Sequence, residues 1–180
     1  MIIAVNDIFE LDKILRNYLI SQTGLDNKNV INALSVRGPE LEVLISEHTY
    51  FSPSLNDTVL IFENESNDTN NNISMTEDIN NISIYQSFKC KIIIYGNYSK
   101  TLALLLKARF ESEVIRDSLF SDGINLEKIS NPISINELKN ETVWIRTDLA
   151  IEYSCRLLVA NKTTNEQIKE ITKLTIIKED

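Results

Sequence analysis

The sequence predicts an α+β fold, within the broader α/β class: a mostly antiparallel or mixed sheet with long strands, packed by an N-terminal helix and a central amphipathic helix. Three observations carry this. From Ile82 to Ile94 the even positions are apolar, Gln86 excepted, while Ser83, Ser87, Lys89 and Lys91 take odd positions. Period two marks a strand with one wet face and one dry face. Just beyond, Leu102, Leu106, Phe110 and Val114 recur at four-residue spacing, with Ala103 and Leu105 widening the stripe, which predicts one helix lying on that sheet. The third observation is the cleanest alternation of all. Val143, Ile145, Thr147, Leu149, Ile151, Tyr153, Cys155, Leu157 and Val159 share one face, and Trp144, Arg146, Asp148, Glu152, Ser154 and Arg156 share the other.

Taken in order, the chain opens with a helix. Asn6 is its N-cap, and Asp7 and Glu10 sit in the first turns, where the helix dipole favours acid. Ile8, Leu11, Leu15, Tyr18 and Leu19 form its buried stripe, and Thr23-Gly24 stops it. Asn29 to Ser35 fits a short strand or a helical turn. Gly38-Pro39 is a turn, Leu41 to Ile45 a strand, His48 to Ser54 a loop carrying Tyr50 and Phe51, and Asp57 to Phe62 a short apolar strand. Residues 64–81 are polar, rich in asparagine and without apolar period. They read as a loop inserted between two strands of one domain spanning residues 1–180.

The strand from Ile82 becomes apolar on both faces at Ile93 and Tyr95, which predicts cover on both sides at that end. Gly96-Asn97 breaks it, and Ser99 is placed to cap the helix that follows. Arg116 to Ser121 adds a turn closed by Asp122-Gly123. Ile124 to Ile129 is a strand, Asn131-Pro132 breaks it, and Ser134 to Asn140 reads as a connecting loop. The strand from Val143 would span about 50 Å at ~3.3 Å per residue, so it bends, bulges or projects beyond the domain. Asn161 to Glu166 is a turn, and Ile168 to Ile177 a last element: Ile168 and Ile171 suit a helix, Leu174 and Ile176 a strand, and a strand returning antiparallel is the reading taken.

Composition narrows the function classes. One hundred and eighty residues with 43% hydrophobic and 24% charged side chains make an ordinary soluble globular chain. A net charge of -8 and a pI near 4.8 argue against a nucleic-acid binder. No apolar run approaches the roughly 20 residues of a transmembrane helix. The start MIIAVNDIFELDK lacks a basic n-region and does not read as a signal peptide. Cys90 and Cys155 both fall on dry strand faces and read as buried free thiols.

The search for chemistry returns little. His48 is the one histidine, and a lone loop histidine is more often solvated than catalytic. There is no GxSxG, HExxH, CxxC or phosphate-cradling glycine loop, and no cofactor motif. Asp148 and Glu152 share a strand face and suit a cation or acid/base work. Arg146 and Arg156 share that face too, so cross-strand ion pairing is the ordinary reading. Trp144 opens the same face, either as a core plug or as an interface anchor. A small intracellular enzyme with a carboxylate metal site at Asp148 and Glu152 therefore remains one class of function.

A second class comes from the order of the motifs. A strand ending in Tyr95-Gly96 leads straight into an amphipathic helix. Gly123-Ile124 follow, and the run from Glu141 through Trp144, Arg146 and Asp148 to Leu149 opens the long strand. The N-terminal helix and Arg37-Gly38-Pro39 fit the same pattern. In this order the chain resembles the neck or tail terminator proteins of tailed bacteriophages. The resemblance implies an α/β protomer, without catalytic residues or cofactor, that forms a hexameric ring. Such a ring caps the tail tube, ends its polymerisation and joins it to the head connector or stopper, with the tail sheath as a further neighbour. DNA passes through without specific binding, and no membrane is involved. The protein would sit in the virion neck after assembly in the bacterial host cytoplasm. A head-completion or stopper protein is the neighbouring alternative. The expected interface is Trp144, Arg146, Asp148, Glu152 and Arg156, with Tyr50 and Phe51. Arg146 or Arg156 of one copy would meet Asp148 or Glu152 of the next.

Overall fold

The computed structural model describes residues 8–33, 58–66, 75–78, 81–139 and 142–161. Among them, seven strands form one mixed sheet: β1 (Val30–Asn32), β2 (Val59–Ser66), β3 (Met75–Asp78), β4 (Asn81–Tyr95), β5 (Ile124–Ile129), β6 (Ile133–Lys139) and β7 (Thr142–Asn161). Their order is β1-β2-β4-β7-β5. β3 pairs with β4 beyond the end of β2, and β6 pairs with β7 beyond the end of β5. The β1–β2 pair is parallel and the others are antiparallel. The α-helices among the described residues are α1 (Ile8–Thr23), α2 (Ser99–Glu111) and α3 (Glu113–Ser121).

All three helices cover one face of the sheet. That face carries Leu60 and Phe62 of β2, Phe88, Cys90, Ile92 and Ile94 of β4, and Leu149, Ile151, Tyr153 and Cys155 of β7. They pack under Leu11, Leu15 and Leu19 of α1, Leu102, Leu106 and Phe110 of α2, and Leu119 of α3. Phe88 lies opposite Tyr153 in register, and their rings stack at 5.6 Å and 16°. The pattern is the predicted one: alternating strands supply a dry face, and an i, i+4 stripe closes over it. α1 is also fastened by polar contacts. The Asp12 carboxylate accepts from the side-chain amides of Asn32 at 2.7 Å and Asn64 at 2.5 Å, and Arg16 Nε donates to the Val30 carbonyl at 3.0 Å. Gly24 ends the helix at φ 71°, its N–H donating to the Ile20 carbonyl at 2.9 Å.

Several details depart from the sequence reading. The central helix breaks at Ser112, whose extended backbone (φ -69°, ψ 141°) ends α2 and starts α3. Val114 is therefore 77% exposed, because the turn at Ser112 ends the face that Leu102, Leu106 and Phe110 share, and Leu105, beside that row on α2, also lies out of the core. Ser99 does not cap the helix. Tyr98 holds that position, and the Ser99 hydroxyl accepts from Thr147 Oγ1 at 3.1 Å in the core. Residues 133–139 are a strand, not a connecting loop, because β5 stops opposite Ile151 and leaves that edge of β7 free for them to pair with. Residues 64–81 are not simply a loop: β2 continues to Ser66 and β3 pairs with the start of β4. Polar side chains permit this, since ladder bonds are made by the backbone.

β7 both bulges and projects. Its register shifts against β4 between Ile82 and Ser83, and against β5 between Leu126 and Lys128. The expected strands at Leu41 to Ile45 and Ile168 to Ile177 lie outside the described residues.

A candidate interface on the long strand

The face of the sheet away from the helices is graded along its length. Near one end, Ile31, Val59, Ile61, Tyr95 and Trp144 form a second, smaller apolar cluster. This is the two-sided cover that Ile93 and Tyr95 predicted. Further along, charge replaces it. Glu65 lies opposite Lys89, Lys89 opposite Glu152, and Glu152 opposite Lys128, so four neighbouring strands carry one row of alternating sign. Cross-strand pairs of opposite charge are favourable at such spacing. Lys91 reaches diagonally to Glu65, and that hydrogen bond raises the lysine's pKa. Acids and bases thus neighbour one another on this face, although the whole chain carries -8.

The sequence candidates separate within this arrangement. Trp144 is a plug, 6% exposed, and meets Tyr95 edge to face. Of the two roles its position allowed, the structure gives it the core one, because this end of the open face is apolar. Arg146 is engaged inside its own chain. It donates to Glu137 at 3.0 Å and to Asp148 at 2.8 Å. Partial burial opposes its charge, but the hydrogen bond and charge of Asp148 outweigh that and raise its pKa. Glu152 stands between two lysines rather than beside Arg156. Arg156 lies with its guanidinium carbon 5.9 Å from the centroid of the Tyr85 ring. Tyr50, Phe51 and His48 lie outside the described residues.

The carboxylate metal site finds no geometry to support it. Asp148 and Glu152 are four residues apart on one strand, a separation of about 13 Å. Among the described residues, no three His, Cys, Asp or Glu side chains come together as a metal site. Near Arg156 an open cleft of about 160 Å³ includes Tyr85, Asn125, Ser154 and Cys155 in its lining. Burial pushes the Cys155 thiol up to about 12 and also raises Cys90, so neither is a ready nucleophile. Both are free and buried, as expected.

Sequence reasoning missed the β6–β7 hairpin. Leu138 lies opposite Val143, and Ile145 follows on the same face of β7; they are 72%, 58% and 43% exposed. The helical cover of that face ends at Thr147, against Ser99 at the start of α2. Gly96 N–H donates to the Ile145 carbonyl at 3.0 Å, which marks the last tie to β4. Beyond it, β6 and β7 run on as a two-stranded ribbon. The usable signal was short: two residues, 140 and 141, separate Ile133–Lys139 from the alternating run, which is hairpin spacing.

Comparison with known proteins bears on the whole arrangement. No curated protein matches the chain. A family model described as phage neck terminator protein matches residues 51–180. The match takes in β2 to β7, α2 and α3, and leaves α1, β1 and Arg37-Gly38-Pro39 outside. It agrees with the resemblance carried by Tyr95-Gly96, Gly123-Ile124 and the Trp144-led strand. The chain belongs to the phage neck terminator protein family.

Proposed function

We propose that this chain closes into a ring, six copies around, on the end of the phage tail tube. The ring stops tube polymerisation and presents its other side to the head connector or stopper, with the sheath as a neighbour where the tail has one. DNA passes through its centre. The chain acts structurally, with no catalytic step, and is assembled into the virion neck in the host cytoplasm.

The observation that carries this reading is that strands outrun their neighbours at both ends of the sheet. β7 extends past β4 as a ribbon with β6 at one end, while at the other β3, β4 and β7 continue beyond β2 and β5. Projecting strands suit head-to-tail contacts between copies, and such contacts close into a ring when the rotation allows. Glu152 and Arg156 supply charges that set register between copies. Arg146 and Asp148, with Trp144 behind them, hold the strand that presents those charges. Tyr50 and Phe51 remain candidate contacts.

Electron microscopy of the purified protein, and of tails made with and without it, tests this. Closed rings, and tails of uncontrolled length in its absence, are expected. Tails of normal length without this chain would end the reading. A chain that binds filled heads but not tail tubes would be a stopper instead.

A further inference from the structure

We infer that the apolar ribbon formed by β6 and β7 is the anchor that one copy inserts against helix α2 of the next. This rests on the ring reading and names its contact surface. Leu138, Val143 and Ile145 continue the face that is buried everywhere from Thr147 to Leu157, yet they themselves are exposed. Tyr98, 41% exposed, stands at the border of the helical cover. A two-stranded ribbon is marginal in water, and bare apolar side chains on it call for a cover.

The cover that this face takes elsewhere is a helix. α2 buries Leu102, Leu106 and Phe110 on its own sheet, yet it shows Leu104 and Leu105 to solvent, with Ala108 also exposed. A helix apolar on a second side is one that is covered twice. The two surfaces cannot meet within one chain. Ser99, at the start of α2, is bonded to Thr147 at the root of the ribbon, so the outer side of α2 faces away from its own β7. Among the described residues, each copy therefore carries one exposed apolar ribbon and one exposed apolar helix side, the two unlike halves of a heterologous contact. On the ribbon's opposite side, Arg146 bridges Glu137 of β6 and Asp148 of β7, and this fixes the ribbon before it docks.

Two variants and their mixture test this. Leu138→Glu with Val143→Lys replaces an apolar cross-strand pair by a charged one of opposite sign and leaves the pairing intact. Leu104→Glu with Leu105→Lys changes the helix side. Sedimentation of each alone is expected to give folded monomers under conditions where the wild type forms rings. A mixture of the two is expected to give dimers and no rings, because only one working contact remains in each pair. Val143→Thr, nearly isosteric, is expected to keep the fold and raise the concentration needed for ring formation by about tenfold. Rings from either double variant, a monomeric mixture, or unfolding of the ribbon variant through loss of a cover within its own chain would each overturn the inference. A wild type that never forms rings, alone or on tails, would remove the ring reading itself, and this contact with it.

Discussion

Tyr95 and Trp144 meet edge to face, their ring centroids 5.9 Å apart at 89°, on the side of the sheet away from α1, α2 and α3. The contact joins β4 to β7 where the ribbon leaves the sheet, so it is both the floor of the second cluster and the ribbon's root. Trp144→Ala should cost about 3–5 kcal/mol, the usual range for a buried aromatic truncated to alanine. Urea unfolding monitored by circular dichroism checks it. A loss under about 1 kcal/mol would mean that the indole is not holding this cluster.

The main core gives a matched pair of substitutions on neighbouring helices. Leu106→Ala should cost about 2–5 kcal/mol, because Leu106 is fully buried between α2 and the sheet. Val114→Ala on α3 should stay within about half a kcal/mol, since the side chain is exposed and alanine favours helix. Equal losses at the two sites would show that α2 and α3 behave as one continuous helix in solution.

Arg146 and Arg156 should part company. Arg146→Glu sets three carboxylates side by side at Glu137, Asp148 and the new residue. It should lower the thermal midpoint by roughly 2–8 °C, equivalent to about one to two kcal/mol at this size. Arg156→Glu gives up a cation–π contact near Tyr85 and should leave the midpoint almost unchanged. Differential scanning calorimetry of the two variants decides it, and the opposite ranking would place the main charge lock at Tyr85.

Alkaline pH should destabilise the fold through its thiols. Burial pushes the Cys155 thiol up to about 12 in the folded protein, while an unfolded cysteine titrates at about 8.5. Below the unfolded value both states keep the proton and the contribution is complete. Above it only the unfolded chain sheds the proton, so stability falls by about 1.4 kcal/mol per pH unit for each such thiol, up to the folded value. Chemical denaturation between pH 8 and 11 should show a shallower slope for Cys155→Ala than for the wild type. Identical slopes would mean that this thiol does not contribute.

The polar excursion is shortenable but not by direct closure. Glu65 lies opposite Lys89, and Asn81 is eight residues further along β4, about 26 Å away. Replacing residues 67–80 by a flexible linker of about ten residues spans that gap and removes β3. The shortened protein should fold with a thermal midpoint within a few degrees of the wild type. Failure to fold would mean that β3 pairing is required to hold the start of β4.

Much of this was legible in the sequence. Alternation identified β4 and β7, and four-residue spacing identified α1 and α2, because each period is set by backbone geometry alone. Parity, however, says which residues share a face and not which face is dry. Trp144 is buried while Val143 and Ile145 are exposed, because at that end the cover lies on the opposite side of the sheet. A lone serine is a weak breaker, so the turn at Ser112 left no mark in the helical pattern. The pairing of Arg146 with Glu137 was hidden for another reason: it needs β6, and β6 is a strand only because β7 provides an edge for it.

β7 stands inside the sheet but comes last in the chain among the described strands. That order sets a folding sequence. The β6–β7 hairpin is joined by two residues and can close within microseconds, whereas the β4–β7 seam must first close the long stretch between Tyr95 and Arg146. The hairpin can then form and reopen before the sheet that will hold it is closed, with Leu138, Val143 and Ile145 bare throughout the interval. Side chains suited to assembly would thus become a hazard in time as well as in space: the residues we propose to join finished subunits are free to join unfinished ones. Refolding yield should fall as protein concentration rises, and the Leu138→Glu, Val143→Lys variant should be spared that loss.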